Sequence, residues 1–348
     1  MGAGAFIMSQ WTQIPYPVII AAALLPAILY FSSVGFYVYL EAKKSELDRS
    51  ELLVDEPLDK IIREGLHFFI PILILIGMLI ADFTPTYAAG FSILAVVLSS
   101  WMSRRKMGGH DILDALALGT RNMIATGVLL VASGIIVGVI NMTGISITFS
   151  QLVVDWSGQS LLLALVLIAV ASLLLGMGLP VTAAYIMIAI LTVPALTTMG
   201  VPLLAAHMVV FWLSQDSNVT PPVCLASFAA SSISGSRPMA TGLTSWKLAK
   251  GLYIMPLLFA YTGLISGDWS QRFTVFAFAL VGLYAVTVAF TGFMFRSESI
   301  SFRILISLAA LGLFWPGNIL VNLAGLGLFL ALGLISRSRI QRGKPTLL

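Results

Sequence analysis

The sequence predicts an all-α, polytopic membrane protein, and three observations carry this prediction. Hydrophobic residues make up 59% of the 348 residues, charged residues make up only 10%, and the mean hydropathy is +1.00. Soluble domains usually contain about 25% charged residues. Apolar runs long enough to cross a bilayer recur along the chain. The single cysteine, Cys224, provides no disulfide framework and no metal cluster.

Eight apolar runs approach the ~20 residues that a helix needs to cross a hydrocarbon core. They lie near residues 18–40, 67–83, 86–102, 122–145, 250–267, 273–295, 304–316 and 318–336. Trp315–Asn318 has the composition of a tight turn, so the last two runs are expected to form a helical hairpin. Asp111–Thr120 is expected to form a separate amphipathic helix at the membrane surface, before the fourth run.

Two further apolar segments are interrupted by helix-breaking residues. Residues 159–198 form two halves divided at Gly176–Pro180, and residues 203–235 are broken at Ser217–Pro222. The first segment is predicted to be a re-entrant hairpin and the second a discontinuous helix. Glycine and proline are also common in ordinary membrane helices, so a kink or a packing site at Gly176–Pro180 is the alternative.

The distribution of basic residues tests this topology, because cytoplasmic loops are rich in Lys and Arg. If residues 42–65 are inside, the predicted spans place 18 of the 19 basic residues inside and leave only Arg272 outside. This agreement requires residues 159–198 to enter and leave on the same side, and it makes the C-terminus cytoplasmic. No basic face is formed, so nucleic acid is not an expected partner.

Asp216 is the only charged residue between Asp155 and Arg237. A carboxylate inside a bilayer is costly and therefore suggests a function. The nearby helix breaks also release main-chain carbonyls that need partners. These features predict a site for a cation and a substrate. The alternative is a structural Asp216 that is hydrogen-bonded to Asn218 or Gln215.

Two pairs of segments suggest an inverted repeat. Gly4–Phe6 is similar to Ala226–Phe228, and Leu24–Tyr30 is similar to Tyr253–Phe259. The charge pattern gives the two copies opposite directions across the membrane. The resulting division has a remnant of the first repeat with scaffold helices, a second-repeat transport region, and C-terminal scaffold helices. These three regions cover residues 1–145, 146–250 and 251–348.

Three motifs carry a resemblance to a known family: Gly176–Tyr185, Ser214–Cys224, and Thr244–Lys247 with Gly251–Tyr253. They resemble the large permease subunit of tripartite ATP-independent periplasmic (TRAP) transporters, most closely the fused-permease branch. The resemblance covers essentially the whole chain. It implies sodium-coupled import of a small organic anion, often a carboxylate, by an elevator-like movement. It also implies a location in the cytoplasmic (inner) membrane of a bacterium or archaeon.

The resemblance also implies partners. Family members take their substrate from a periplasmic solute-binding protein, and they carry further helices before the part that resembles Met1–Met8. We therefore expect the chain to work in the lipid bilayer with the small subunit or with missing N-terminal permease helices. A non-transporting scaffold or an inactive remnant is the alternative. No cofactor is expected, and sodium is the expected coupling ion.

Sodium is a hard cation that prefers oxygen ligands, and broken helices supply free carbonyls. Glycines allow close approach and positive φ, while prolines lack an N–H donor. The half-helix N-termini near residues 181–185 and 222–226 are expected to face a substrate carboxylate. The candidate substrate and cation residues are Gly176, Gly178, Pro180, Thr182, Asp216, Ser217, Asn218, Thr220, Pro221 and Pro222. Those for the sodium ion itself are Gly176, Gly178, Thr182, Asn218 and Thr220.

An enzyme is not expected, because no second acid, serine–base pair or metal-ligand cluster accompanies Asp216 at membrane depth. The chain also lacks an ATP-binding P-loop, so an ion gradient must drive any pumping. His207 is expected to be packed or interfacial rather than part of a proton relay. Trp246 and Lys247 are expected to anchor a span at the membrane interface.

Overall fold

The computed structural model describes residues 3–45, 65–81, 83–102 and 106–342. Within these ranges the regular structure is helical, apart from one isolated β-bridge, and the all-α prediction is confirmed. The helices are α1 (Ala3–Thr12), α2 (Tyr16–Lys44), α3 (Phe69–Ile80), α4 (Pro85–Ser100), α5 (Gly109–Thr143), α6 (Ile145–Trp156), α7 (Leu161–Gly176), α8 (Val181–Thr198), α9 (Leu203–Ser214), α10 (Leu225–Ser234), α11 (Pro238–Leu248), α12 (Gly251–Tyr261), α13 (Trp269–Thr291), α14 (Ile300–Leu313) and α15 (Ile319–Arg342). Two 3-10 turns, Leu66–Phe68 and Asp216–Asn218, precede α3 and follow α9.

Several helices are long and apolar enough to cross a membrane, which confirms a polytopic membrane protein. They are Tyr16–Lys44, Val181–Thr198, Trp269–Thr291 and Ile319–Ser338. A further candidate span is bent by 74° where α5 meets α6. Gly144 lies at this bend with φ of +69°, a left-handed conformation that glycine adopts without a steric cost.

The chain forms two compact units, and the first consists of Met1–Ile19 and Asp48–Gly134. In this unit α3 packs against α4, and Ser92 Oγ on α4 donates to the Pro71 carbonyl at 3.2 Å. The rings of Phe6 and Tyr16 stack with centroids 4.4 Å apart. The stacking fixes the turn between α1 and the start of α2.

The second unit consists of Ile20–Leu47 and Ile135–Leu348, and α9 lies at its centre. Every α9 residue from Ala205 to Ser214 is buried, because α7, α8 and α12 all pack against this helix. A helix that is apolar all round needs such complete cover. The interior of this unit therefore holds the two segments that the sequence marks as interrupted.

The C-terminal helices form a second core within the same unit. α14 packs against α13 and α15, and the end of α2 adds Leu40 to the buried cluster. α14 and α15 form the predicted hairpin, and Gly317 in its turn has φ of +75°. The hairpin depends on a very close approach at Gly325, where a Cβ atom would lie 2.8 Å from the Ala309 carbonyl oxygen.

Two expected boundaries are wrong. The run 250–267 is not one helix, because α12 ends at Tyr261 and a glycine turn follows in which Gly267 N–H donates to the Gly263 carbonyl at 2.9 Å. Asp111–Thr120 is not a separate helix either; it continues into α5, since no proline or capping residue stops the helix there. The predicted connector at residues 42–65 lies largely outside the described residues.

The close approach of α14 and α15 predicts that Gly325→Ala destabilises the protein. Its methyl group would collide with main-chain atoms that cannot rotate away, at a cost of ~1–3 kcal/mol. Thermal unfolding of detergent-solubilised protein, monitored by size-exclusion chromatography after heating, measures the effect. Gly327→Ala is the matched control, because nothing lies within 4 Å of a Cβ atom at Gly327. An unchanged unfolding temperature for Gly325→Ala would contradict the described packing.

Candidate functional site

The two interrupted segments form two helix breaks, and the first is a tight hairpin tip. α7 ends at Gly176 and α8 begins at Val181, and these two helices pack against each other. Gly178 has φ of +75°, and Pro180 is the N-cap residue of α8. Among the described residues, no main-chain donor bonds to the carbonyls of residues 177–179. The hairpin tip therefore exposes main-chain oxygens, as its glycines and proline suggest.

The second break lies between α9 and α10, and it consists of the 3-10 turn Asp216–Asn218 and a loop. The N–H groups of Val219 and Thr220 donate to the Asp216 carbonyl at 3.1 and 2.9 Å. Within the described part of the chain, the carbonyls of residues 217–223 accept no main-chain hydrogen bond. The discontinuous helix is thus present where the sequence predicts it, and it too has free carbonyl groups.

The two breaks meet at Gly176 and Ser217. A Cβ atom at Gly176 would lie 2.9 Å from Ser217 Oγ and 3.3 Å from Ser217 Cβ. The 3-10 turn contacts α7 along this approach, and Ser217 is only 2% exposed. A side chain at Gly176 would push the hairpin tip away from the turn. Sequence separation alone does not show that these two positions touch.

Asp216 is 3% exposed, and its carboxylate is held by two hydroxyl groups. Thr220 Oγ1 and Tyr253 OH both donate to Oδ1, and these two hydroxyl oxygens lie 2.8 Å apart. Trp246 Nε1 donates to Tyr253 OH at 3.0 Å. The partners expected for a structural Asp216, Asn218 and Gln215, are therefore wrong. The carboxylate instead joins the second break to α11 and α12.

Two polar atoms beside the two breaks have no partner. Ser217 Oγ and Asn218 Nδ2 are buried without a hydrogen bond among the described residues. Buried polar atoms nearly always have one, and an unsatisfied group costs about 1–3 kcal/mol. These two atoms are therefore available to a ligand that enters between the breaks.

The remaining candidate residues flank this centre. Thr182 lies half-buried in the first turn of α8, and Pro221 is half-buried while Pro222 is exposed. Gly242 on α11 supports the loop, since a Cβ atom there would lie 2.7 Å from Cys224 Sγ and 3.2 Å from Pro221 Cγ. Cys224 is a free, buried thiol, in keeping with a packing role.

A cavity of about 390 Å³ lies beside Asp216. It is lined by Ala169, Val170, Leu173, Asp216, Thr220, Trp246, Lys247, Lys250, Tyr253 and Phe290. Of these residues, only Asp216 and Thr220 are predicted as site residues from the sequence. Among the others, Trp246 is expected at the membrane interface, Lys250 is one of the basic residues assigned to the cytoplasmic side, and Tyr253 belongs to a motif of the family resemblance. These three residues lie on or between α11 and α12, so their place in the cavity depends on how these two helices pack.

His207 does not belong to the two breaks. It is 7% exposed, and its Nδ1 lies 2.8 Å from Tyr185 OH in the contact between α8 and α9. The expected packed role agrees with this position. Within the described residues, no group of three or more His, Cys, Asp or Glu side chains is arranged to hold a metal ion.

Comparison with known proteins connects this geometry to one family. A family model described as the tripartite ATP-independent periplasmic transporter, DctM component, matches residues 1–265. No curated protein and no solved structure matches the chain. The family match includes both helix breaks and covers well over half of the 348 residues. The chain therefore belongs to the DctM family, the large permease component of TRAP transporters.

Proposed function

We propose that this protein is the permease component of a sodium-coupled secondary transporter for a small organic anion, typically a carboxylate. A periplasmic solute-binding protein delivers the anion to the cytoplasmic membrane. Family membership supports the transport role. The observation that carries the proposal is the contact between Gly176 at the hairpin tip and Ser217 in the second break, since both breaks have carbonyls that accept no main-chain hydrogen bond among the described residues.

The cation site is proposed to lie between the two breaks. The carbonyls of residues 177–179 belong to one break and those of 217–223 to the other, and oxygen is the ligand type that sodium prefers. Ser217 Oγ and the side-chain oxygens of Asn218 and Thr182 add candidate ligands. Because Gly176 has no side chain, the end of α7 can approach Ser217 closely. A bound sodium ion would satisfy groups that otherwise lack partners.

The anion site is proposed to lie at the adjacent half-helix N-termini. α8 begins after Pro180 and α10 begins after Cys224, and neither helix has a side-chain cap. Uncapped N–H groups and the positive end of the helix dipole favour an anion. Asn218 Nδ2 supplies a further unpartnered donor. A carboxylate held there beside sodium gains from the neighbouring positive charge, which couples the binding of the two.

An inverted repeat and an elevator-like movement are part of this proposal. Pro26 lies inside α2 and Pro256 lies inside α12, as the third and fourth residues of the two similar segments. Tyr30 on α2 and Phe259 on α12 both pack edge-to-face against Trp212 of α9, with ring centroids 6.5 and 5.2 Å away. Related segments thus contact the same residue of the central helix, and this supports the proposed division at residues 145 and 250.

The rival proposal is a non-transporting membrane scaffold or an inactive remnant. Expressing the chain alone, and then together with a small subunit and a binding protein, separates the two. Uptake of radiolabelled organic acids should require a sodium gradient, and it should disappear when choline replaces sodium. Failure of uptake in every combination would favour the rival, and sodium-independent uptake would contradict the coupling.

The unpartnered hydroxyl of Ser217 predicts opposite effects on stability and sodium binding. In sodium-free buffer, Ser217→Ala should not lower the unfolding temperature, because it removes an unsatisfied buried group. Sodium should stabilise the unaltered protein by about 2.7 kcal/mol when it is present at about 100 times its Kd. Ser217→Ala should lose much of this stabilisation.

Thermal unfolding in sodium chloride and in choline chloride of equal ionic strength measures this difference. Ser33→Ala is the matched control, because Ser33 Oγ is also buried and unpartnered but lies on α2. It should keep the full sodium response. An equal sodium response in all three proteins would exclude Ser217 as a ligand.

The hydrogen bond from Thr220 to Asp216 predicts a second pair of variants. Thr220→Val leaves a buried carboxylate short of a donor, so we expect the unfolding temperature and sodium-dependent uptake both to fall. Thr220→Ser keeps the hydroxyl and should restore most of both. Thr244→Val is the control, since the one hydrogen bond of the Thr244 hydroxyl to the described residues goes to the Ala240 carbonyl of its own helix. If Thr220→Ser and Thr220→Val lower the unfolding temperature and the uptake equally, the hydroxyl group of Thr220 is not required.

A further inference from the structure

Lys250 is a buried cation that the described structure leaves without an acceptor. It precedes α12 and is 4% exposed. Among the described residues, its Nζ has no hydrogen-bond partner and no ion pair. The Tyr37 ring lies beneath Nζ, with its centroid 4.7 Å away. A cation–π contact offsets only part of the cost of removing an ammonium group from water.

The nearest candidate for a counter-ion within the cavity is already engaged. Asp216 lines the same cavity as Lys250, but it does not form a salt bridge with it. Its carboxylate accepts hydrogen bonds from Thr220 and Tyr253 instead. The ammonium group of Lys250 is therefore left free to bind an anion that enters the cavity.

The cavity has the size and lining of a small-molecule site. Its volume of about 390 Å³ lies within the ~300–1,000 Å³ typical of ligand pockets. Apart from its polar and charged residues, the wall consists of Ala169, Val170, Leu173 and Phe290, and the Trp246 indole lies beside them. An occupant that fits has one anionic end for Lys250 and a compact apolar body for this wall.

We propose that Lys250 binds the carboxylate of the transported organic anion in this cavity, which makes it a substrate-binding residue. This proposal rests on the proposed function for the identity of the ligand. It adds a second anion contact beyond the half-helix N-termini. The phosphate of a lipid headgroup would have the same charge, and the experiment separates the two sources.

Reductive methylation of lysines tests the proposal on the unaltered protein. The full chain in nanodiscs of neutral phosphatidylcholine is treated with formaldehyde and cyanoborohydride, and peptide mass spectrometry measures methylation at each lysine. The probes are sodium acetate, lactate, succinate, glutarate and benzoate, none of which has a carbonyl group that can react with lysine, at constant ionic strength. At least one of them should slow methylation of Lys250, and the slowing should saturate. At about ten times the Kd of that probe, the unoccupied fraction of the cavity falls roughly tenfold, so methylation should slow roughly tenfold as well.

Lys43 provides an internal reference. It is exposed, and its Nζ lies 4.6 Å from the Tyr39 ring centroid, so it has a similar aromatic contact without the cavity. Its methylation should not respond to the carboxylates. Equal slowing at both lysines, or no slowing at Lys250 with any probe, would overturn the proposal. Protection that appears only with phosphatidylglycerol in the nanodisc, or equally with inorganic phosphate, would assign the cavity to phosphate and overturn it too.

Variants supply an independent readout. The probe that protects Lys250 should also raise the unfolding temperature of the unaltered protein. Lys250→Met should abolish this shift, Lys250→Arg should retain part of it, and Lys43→Met should keep all of it. A full carboxylate shift in Lys250→Met would contradict the assignment.

None of these measurements depends on a sodium gradient or on uptake. Protection of Lys250 without sodium-dependent transport would support carboxylate binding in the cavity and contradict the proposed transport function. Sodium-dependent transport without protection of Lys250 would contradict only the proposed role of Lys250.

Discussion

The structure depends on the close approach of Gly176 to Ser217. A helix broken inside a membrane leaves main-chain groups without partners, and each such group is costly where water is scarce. Here two breaks face each other, and only a glycine allows the approach, because a Cβ atom would lie 2.9 Å from Ser217 Oγ. The hairpin tip thereby contacts the 3-10 turn of the second break. A bound cation can then compensate both breaks at once.

Around this contact the polar groups fall into two sets. One set contains the free carbonyls and the unpartnered atoms of Ser217 and Asn218. The other set lines the cavity with Lys250 and with the hydroxyl of Tyr253. The Asp216 carboxylate lines this cavity and is held by hydroxyl groups rather than by a cation. The two sets are the basis of the proposed binding of a cation and an anion.

Much of the candidate site could be predicted from local sequence, and the reason is chemical. Gly178, Pro180 and the segment from Ser217 to Pro222 differ so strongly from their apolar surroundings that the two helix breaks are visible without a structure. Helix ends were harder to predict. The run 250–267 looks uniformly apolar, yet α12 ends at Tyr261, because Gly263 and Gly267 form a turn that hydropathy does not register. The partners of Asp216 could not be inferred either, since Tyr253 lies 37 positions away.

The sequence by itself determined the class of protein, the positions of the two helix breaks and the isolation of Asp216 among apolar residues. Hydrophobic content and the local effects of glycine and proline decide these features, and neither requires long-range contacts. Only the tertiary structure decided that Gly176 meets Ser217, that Tyr253 reaches Asp216, and that Lys250 is a buried cation rather than a loop charge. The reason is that helix packing, which joins residues far apart along the chain, sets these contacts and the burial of each charge.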